Sequence, residues 1–129
     1  MAISIVRLGN PRQEGEGLRV GTVRRPPRGI PKSEWASRNF FDVWFPNLAP
    51  SEALLKRFQP IEDDRHWRQF ERSYRSEMKR PENKRLLELF AALSRQTDFS
   101  VGCYCADEQR CHRSILRELL AGQGAALTA

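Results

Sequence analysis

At 129 residues the chain has the length of one domain, residues 1–129, and should bury roughly two-thirds of its unfolded surface. Hydrophobic residues at 40% and charged residues at 29% argue against disorder of the whole chain, and no apolar run approaches the roughly 18 residues that span a bilayer. The net charge of +6, from 22 Lys and Arg against 16 Asp and Glu, favours an anionic partner.

Ile3, Ile5, Val6 and Leu8 make a short β-prone run that ends at Asn10-Pro11. A second run, residues 18–23, follows the turn Glu14-Gly15-Glu16-Gly17. The segment Arg24-Arg25-Pro26-Pro27-Arg28-Gly29-Ile30-Pro31 is then a loop, because its prolines deny the backbone donors that a ladder needs. Ser33-Glu34-Trp35 suits the start of a short helix, and residues 40–45 fit either a strand or packed loop. Ser51-Glu52 after Pro50 opens a helix with Leu54, Leu55 and Phe58 on its buried side, stopped by Pro60. Asp63 or Asp64 caps a longer helix in which Trp67, Phe70, Tyr74 and Met78 fall at helical spacing. Beyond Pro81, Leu86, Leu87, Leu89, Phe90 and Leu93 predict an amphipathic helix to about Gln96. Residues 99–105 read as the last strand, and Ile115, Leu116, Leu119 and Leu120 as the last helix. The tail, about residues 122–129, is expected to fray. Strand, helices, strand, helix is the order of an α/β domain: a small, mostly parallel sheet with helices on both faces.

Two stretches carry residues suited to chemistry. The first is the proline-stiffened loop after the second strand. Ligands of open α/β sheets settle beyond the carboxyl ends of the strands, so Arg24 and Arg28 are candidates to clamp an anion there. Arginine suits this role through its two-point grip on carboxylate or phosphate. The alternative is that these arginines cap helix carbonyls or pair with acids such as Asp42.

The second stretch, residues 101–114, holds all three cysteines, at 103, 105 and 111, followed by His112 and Arg113. An odd, clustered set is not the disulfide framework of a small secreted domain, and the expected location is the cytoplasm. Alternation places Cys103 and Cys105 on one sheet face and Tyr104 on the other. Cys111 and His112 fall near a helix N-terminus, whose amides and dipole favour a thiolate.

Four readings stay open for this segment. The thiols are packing groups, with Asp107 or another polar residue capping the helix and His112 bonding locally. Strand-to-helix amides with Arg113 form an anion site. Cys105 or Cys111 is a catalytic or redox thiol with His112 as its base. A zinc set is the last. Cys-x-Cys with Cys-His departs from paired Cys-x-x-Cys spacing, and neighbouring Cys111 and His112 would strain to reach one ion, so no metal is expected.

Other signals are weaker. Cys111 to Arg117 matches a phosphatase spacing, but the residues between read as helix and lack glycine. His66 is expected to face solvent, and Trp35, Trp44 and Trp67 to join the core rather than stack on bases. No Walker loop or dinucleotide fingerprint occurs, so no cofactor is expected.

Arg24-x-x-Pro27-Arg28-Gly29 near the front and Cys103-x-Cys105 with Cys111-His112-Arg113 near the end resemble the family known as domain of unknown function 488. Trp44, the Pro50-Ser51 helix start, and Trp67, Phe70 and Tyr74 between them follow the same order. The resemblance implies a compact α/β sandwich of Rossmann-like character and brings no assigned chemistry. The leading expectation is therefore a site for a small anionic ligand made by Arg24, Arg28, Arg113 and the cysteine loop, with thiol chemistry as its catalytic version. A nucleic-acid-associated module and a partner-binding protein without catalysis are the alternatives. The oligomeric state is not encoded in any motif.

Overall fold

β-Branched and apolar residues do form the strands in this computed structural model, which describes residues 1–105 and 110–128. Four strands, β1 (Ile3–Arg7), β2 (Leu18–Gly21), β3 (Val43–Trp44) and β4 (Phe99–Cys103), make one sheet in the order β1-β4-β2-β3, with every pairing parallel. Val101 of the central β4 sits between Ile5 and Val20, so the most apolar positions of three strands are in register. The ambiguous stretch at 40–45 resolves into the two-residue edge strand β3.

The helices are α1 (Glu52–Phe58), α2 (Asp64–Met78), α3 (Pro81–Leu93) and α4 (His112–Gly122). Ser51 caps α1 by accepting the Leu54 N–H at 3.2 Å, and Asp63 caps α2 by accepting the His66 N–H at 2.8 Å. Pro81 occupies the first turn of α3, where its missing N–H costs nothing. Phe70, Tyr74 and Met78 are buried as the helical spacing predicts, with Trp67 stacked on Phe70.

The two faces of the sheet are covered unequally. Ile3, Val20, Phe99 and Val101 pack against Phe58, Tyr74, Phe90 and Leu116, drawn from all four α-helices. The other face carries Leu8, Val23 and Phe41, with Trp35 and Phe40 packed beside them, beyond a 3-10 helix at Lys32–Glu34. Phe41 fits only because residue 21 is glycine: a Cβ there would collide with the ring. Farther along this face the buried Arg19 donates to both carboxylate oxygens of Glu16 and to the carbonyls of Asn10 and Asn39, at 2.6–2.9 Å. Ser100 completes the network by donating to Glu16.

The tail departs from the expected fraying. Ile3 N–H donates to Ala126 O, and Thr128 N–H donates to Ile3 O, so residues 126–128 bond to the outer edge of β1. The reason is physical: β1 is an edge strand whose unpaired backbone groups need partners.

Candidate functional site

Parallel pairing sets the carboxyl ends of β2 and β4 side by side, and Thr22 fastens them. Its N–H and its hydroxyl both donate to Gly102 O, at 3.0 and 2.9 Å. Beyond this clasp the chains diverge, into residues 23–25 on one side and 103–105 on the other. The first helix closes the crevice with Leu55, Lys56 and Gln59, and His112 borders it from the start of α4. The result is a 490 Å³ cavity at the sheet's carboxyl edge, the place where open α/β sheets hold ligands.

The cavity brings together Arg24, Cys105 and His112, three side chains from the two distant stretches singled out in the sequence. Arg24 has structural work there: it donates to the carbonyls of Pro46, Ala49 and Pro50 at 3.0–3.2 Å. Those carbonyls belong to the 3-10 helix Pro46–Leu48 and the lead-in to α1, so the guanidinium pins the wall that carries Lys56. Arg28 is exposed and is not among the described residues lining the cavity. Arg113 is buried beneath it and donates to Cys105 O at 2.8 Å, fixing the backbone of the cysteine loop.

The three cysteines differ sharply, and the sulfurs of Cys103 and Cys111 are in contact. Cys105 is exposed and lines the cavity, while Cys103 and Cys111 are buried. Because β4 ends at Cys103, the strand alternation that would place Cys103 and Cys105 on one face does not extend to Cys105. Cys111 is the N-cap of α4, in extended conformation, with no side-chain cap bond. Asp107, the expected cap, lies outside the described residues.

The His112 ring is set by its neighbours. Its Nε2 lies 2.7 Å from Thr22 O, and a carbonyl can only accept, so Nε2 carries the proton and Nδ1 the lone pair. That lone pair faces Cys111, with Nδ1 3.7 Å from Sγ. Burial, with Arg113 adding to it, pushes the His112 pKa down to about 4 despite the Thr22 bond. The ring is therefore neutral at pH 7. Cys111 and His112, expected to strain toward one ion, have their ligand atoms together with that of Cys103 within 4.8 Å of one another. The change from extended Cys111 to helical His112 turns both side chains to one side.

Arg25, Lys56 and Tyr104 also line the cavity and escaped the sequence reading as site residues. Arg25 reaches Glu52 at 2.7 Å, and Tyr104 donates its hydroxyl to Arg25 O, which joins the two loops across the mouth. Burial raises the Tyr104 pKa to about 12, so it remains a donor. Lys56 carried no usable signal, because two residues from both buried Leu54 and Phe58 it stands on the exposed face of α1. His66 is half-buried beside Phe58 and accepts the Glu62 N–H. Arg117 lies within α4, which removes the phosphatase spacing as a loop.

A protein-family profile described as DUF488-N3a, the active DUF488-N3 subclade, matches residues 3–124. The chain belongs to the DUF488-N3a family. The matched region runs from β1 to α4 and contains every described residue of the cavity, so the site is part of the DUF488-N3a domain itself. Comparison with curated proteins and with solved structures yields no match. Among the described residues, no helix is long and apolar enough to cross a membrane.

Proposed function

We propose that this DUF488-N3a domain binds a small anionic molecule, carrying phosphate or carboxylate, in the cavity at the carboxyl edge of β2 and β4, with Cys105 as the thiol presented to it. One observation carries the reading: the described lining holds Arg24, Arg25 and Lys56, with the Glu52 carboxylate on Arg25 standing outside it, beside the exposed Cys105. Low-dielectric walls of Val23, Leu55 and Tyr104 strengthen the pull of those cations on an anion. Lys56 and Arg25, the latter turning from Glu52, are the anion contacts in this proposal, with Arg24 as the support of the wall.

The test is the rate at which iodoacetamide alkylates Cys105, read by intact mass on the full chain. Inorganic phosphate or pyrophosphate should slow that rate severalfold with saturation, and the paired substitution Arg25→Ala with Lys56→Ala should abolish the protection. Alkylation that stays unchanged up to high phosphate and pyrophosphate would overturn the anion site.

A further inference from the structure

We propose that Cys103, Cys111 and His112 form a zinc site whose fourth coordination position opens to the cavity. The metal site stands on the geometry of these three residues. The role of its open position deepens the anion reading and rests on it.

Zinc favours thiolate and imidazole ligands, and three protein ligands with one open position is the catalytic form of its site. All three ligand atoms are within 4.8 Å of one another. Zinc–sulfur and zinc–nitrogen bonds of about 2.3 and 2.0–2.1 Å at the tetrahedral angle place the two atoms about 3.6 Å apart. Cys111 Sγ and His112 Nδ1 are 3.7 Å apart. The imidazole already has the tautomer a metal requires: Nε2 donates to Thr22 O, which leaves Nδ1 as the ligating atom and holds the ring as outer-shell partners do in metal sites. Thr22 is itself held by two bonds to Gly102 O, one residue before Cys103, so ring and strand end are mutually fixed.

The sulfurs of Cys103 and Cys111 are in contact, yet their backbones stand too far apart for an ordinary crosslink. The Cα atoms of Cys103 and Cys111 are 7.9 Å apart, beyond the roughly 4.4–6.8 Å that a disulfide spans. Two thiolates on one zinc stand about 3.7 Å apart, so loading parts the two sulfurs from contact to that spacing. Burial of Cys103 and Cys111 shields a bound ion on two sides, whereas Cys103 and His112 both border the cavity, so the remaining position belongs to water or to the anion. A thiol reductant first gives the Cys103–Cys111 pair two electrons and two protons, and loading then forms two Zn–S bonds and one Zn–N bond and releases the two thiol protons to buffer, with no further change of oxidation state.

Cobalt(II) is the probe, added to full-length protein that has been fully reduced and stripped of metal. The expected result is uptake of one equivalent, with the visible d–d bands of tetrahedral coordination and a near-ultraviolet thiolate charge-transfer band, both displaced by stoichiometric zinc. Cys111→Ser and Cys103→Ser should each lose most of the charge-transfer intensity, and Cys105→Ser should keep it. If a serine variant fails to fold by circular dichroism, the parent titration and Cys105→Ser decide alone. Absence of tetrahedral cobalt bands in the reduced parent would overturn the site, as would their loss in Cys105→Ser. Phosphate added to the cobalt form should shift the d–d bands. Bands that form but ignore phosphate, together with unprotected Cys105, leave the metal site standing and remove the anion reading.

Discussion

Replacing Arg24 separates a wall support from an anion contact. Its guanidinium makes three hydrogen bonds to carbonyls of the segment that leads into α1, and the side chain is only half-buried. Hydrogen bonds to a charged group are worth about 1.5–3 kcal/mol each, and the abandoned carbonyls partly rehydrate, so Arg24→Ala should cost about 2–4 kcal/mol rather than the full sum. With a urea dependence of about 2 kcal/mol per M, the unfolding midpoint should fall by about 1–2 M. Arg24→Lys keeps the charge but lacks the fork, and should lose about half as much. Urea unfolding followed by Trp fluorescence gives both values, and Cys105 alkylation with phosphate tests binding in conditions where each variant is folded. Protection should survive in Arg24→Lys. Should Arg24→Ala unfold within about 0.5 kcal/mol of the parent while phosphate protection disappears, the support role is wrong and Arg24 is the clamp.

Three further outcomes follow from the packing. Gly21→Ala drives a methyl group into the Phe41 ring and should destabilise by about 1–3 kcal/mol, measured by the same urea assay; an unchanged midpoint would mean that Phe41 moves freely. Tyr74 is fully buried and donates to Leu48 O at 2.6 Å, so Tyr74→Phe should cost about 1–2 kcal/mol, and a neutral result would show water already serving that carbonyl. Burial alone would raise the Glu16 pKa, but bonds from Arg19, the Gln13 N–H and Ser100 hold it below its ordinary 4.5. The unfolded chain therefore takes up this proton first, and the stability Glu16 supplies above pH 4.5 is lost as pH falls through that value toward the lower folded pKa. Glu16→Gln should flatten the dependence of the urea midpoint on pH in that acid window; an identical slope in both proteins would assign it to other carboxylates.

The elements were legible where one residue type decides a local conformation. Ser51 and Asp63 cap the helices that their positions announce, and Pro81 opens α3. The stripe from Phe70 to Met78 buries as its spacing requires. The sheet order was not legible, because neither the ten-residue connection between β1 and β2 nor its glycines state that β4 will enter between them. Nor was the division of labour among arginines. Arg19, with no local sign of importance, is the most buried of them, while Arg28, in the prominent proline loop, is exposed. An arginine's role depends on which carbonyls and carboxylates surround it after folding, and those partners are mostly ten or more residues away.

The cysteine loop shows the same limit at closer range. The spacing predicts that Cys111 and His112, as neighbours, would strain to reach one ion. The backbone turns between them, from the extended N-cap into the first helical residue, and this turn carries both side chains toward the end of β4. Cys103 waits there because β4 stops at that residue, and Thr22 of the adjacent strand fixes the imidazole in the tautomer that leaves Nδ1 free of a proton. Each contribution is ordinary: a strand end, a helix start, one carbonyl. Their convergence requires the parallel pairing of β2 with β4, which puts two strand ends and a helix start within reach of one another. The site is thus a property of topology more than of motif spacing, and a change that weakens the Thr22 clasp should loosen the His112 ring before it disturbs the sheet.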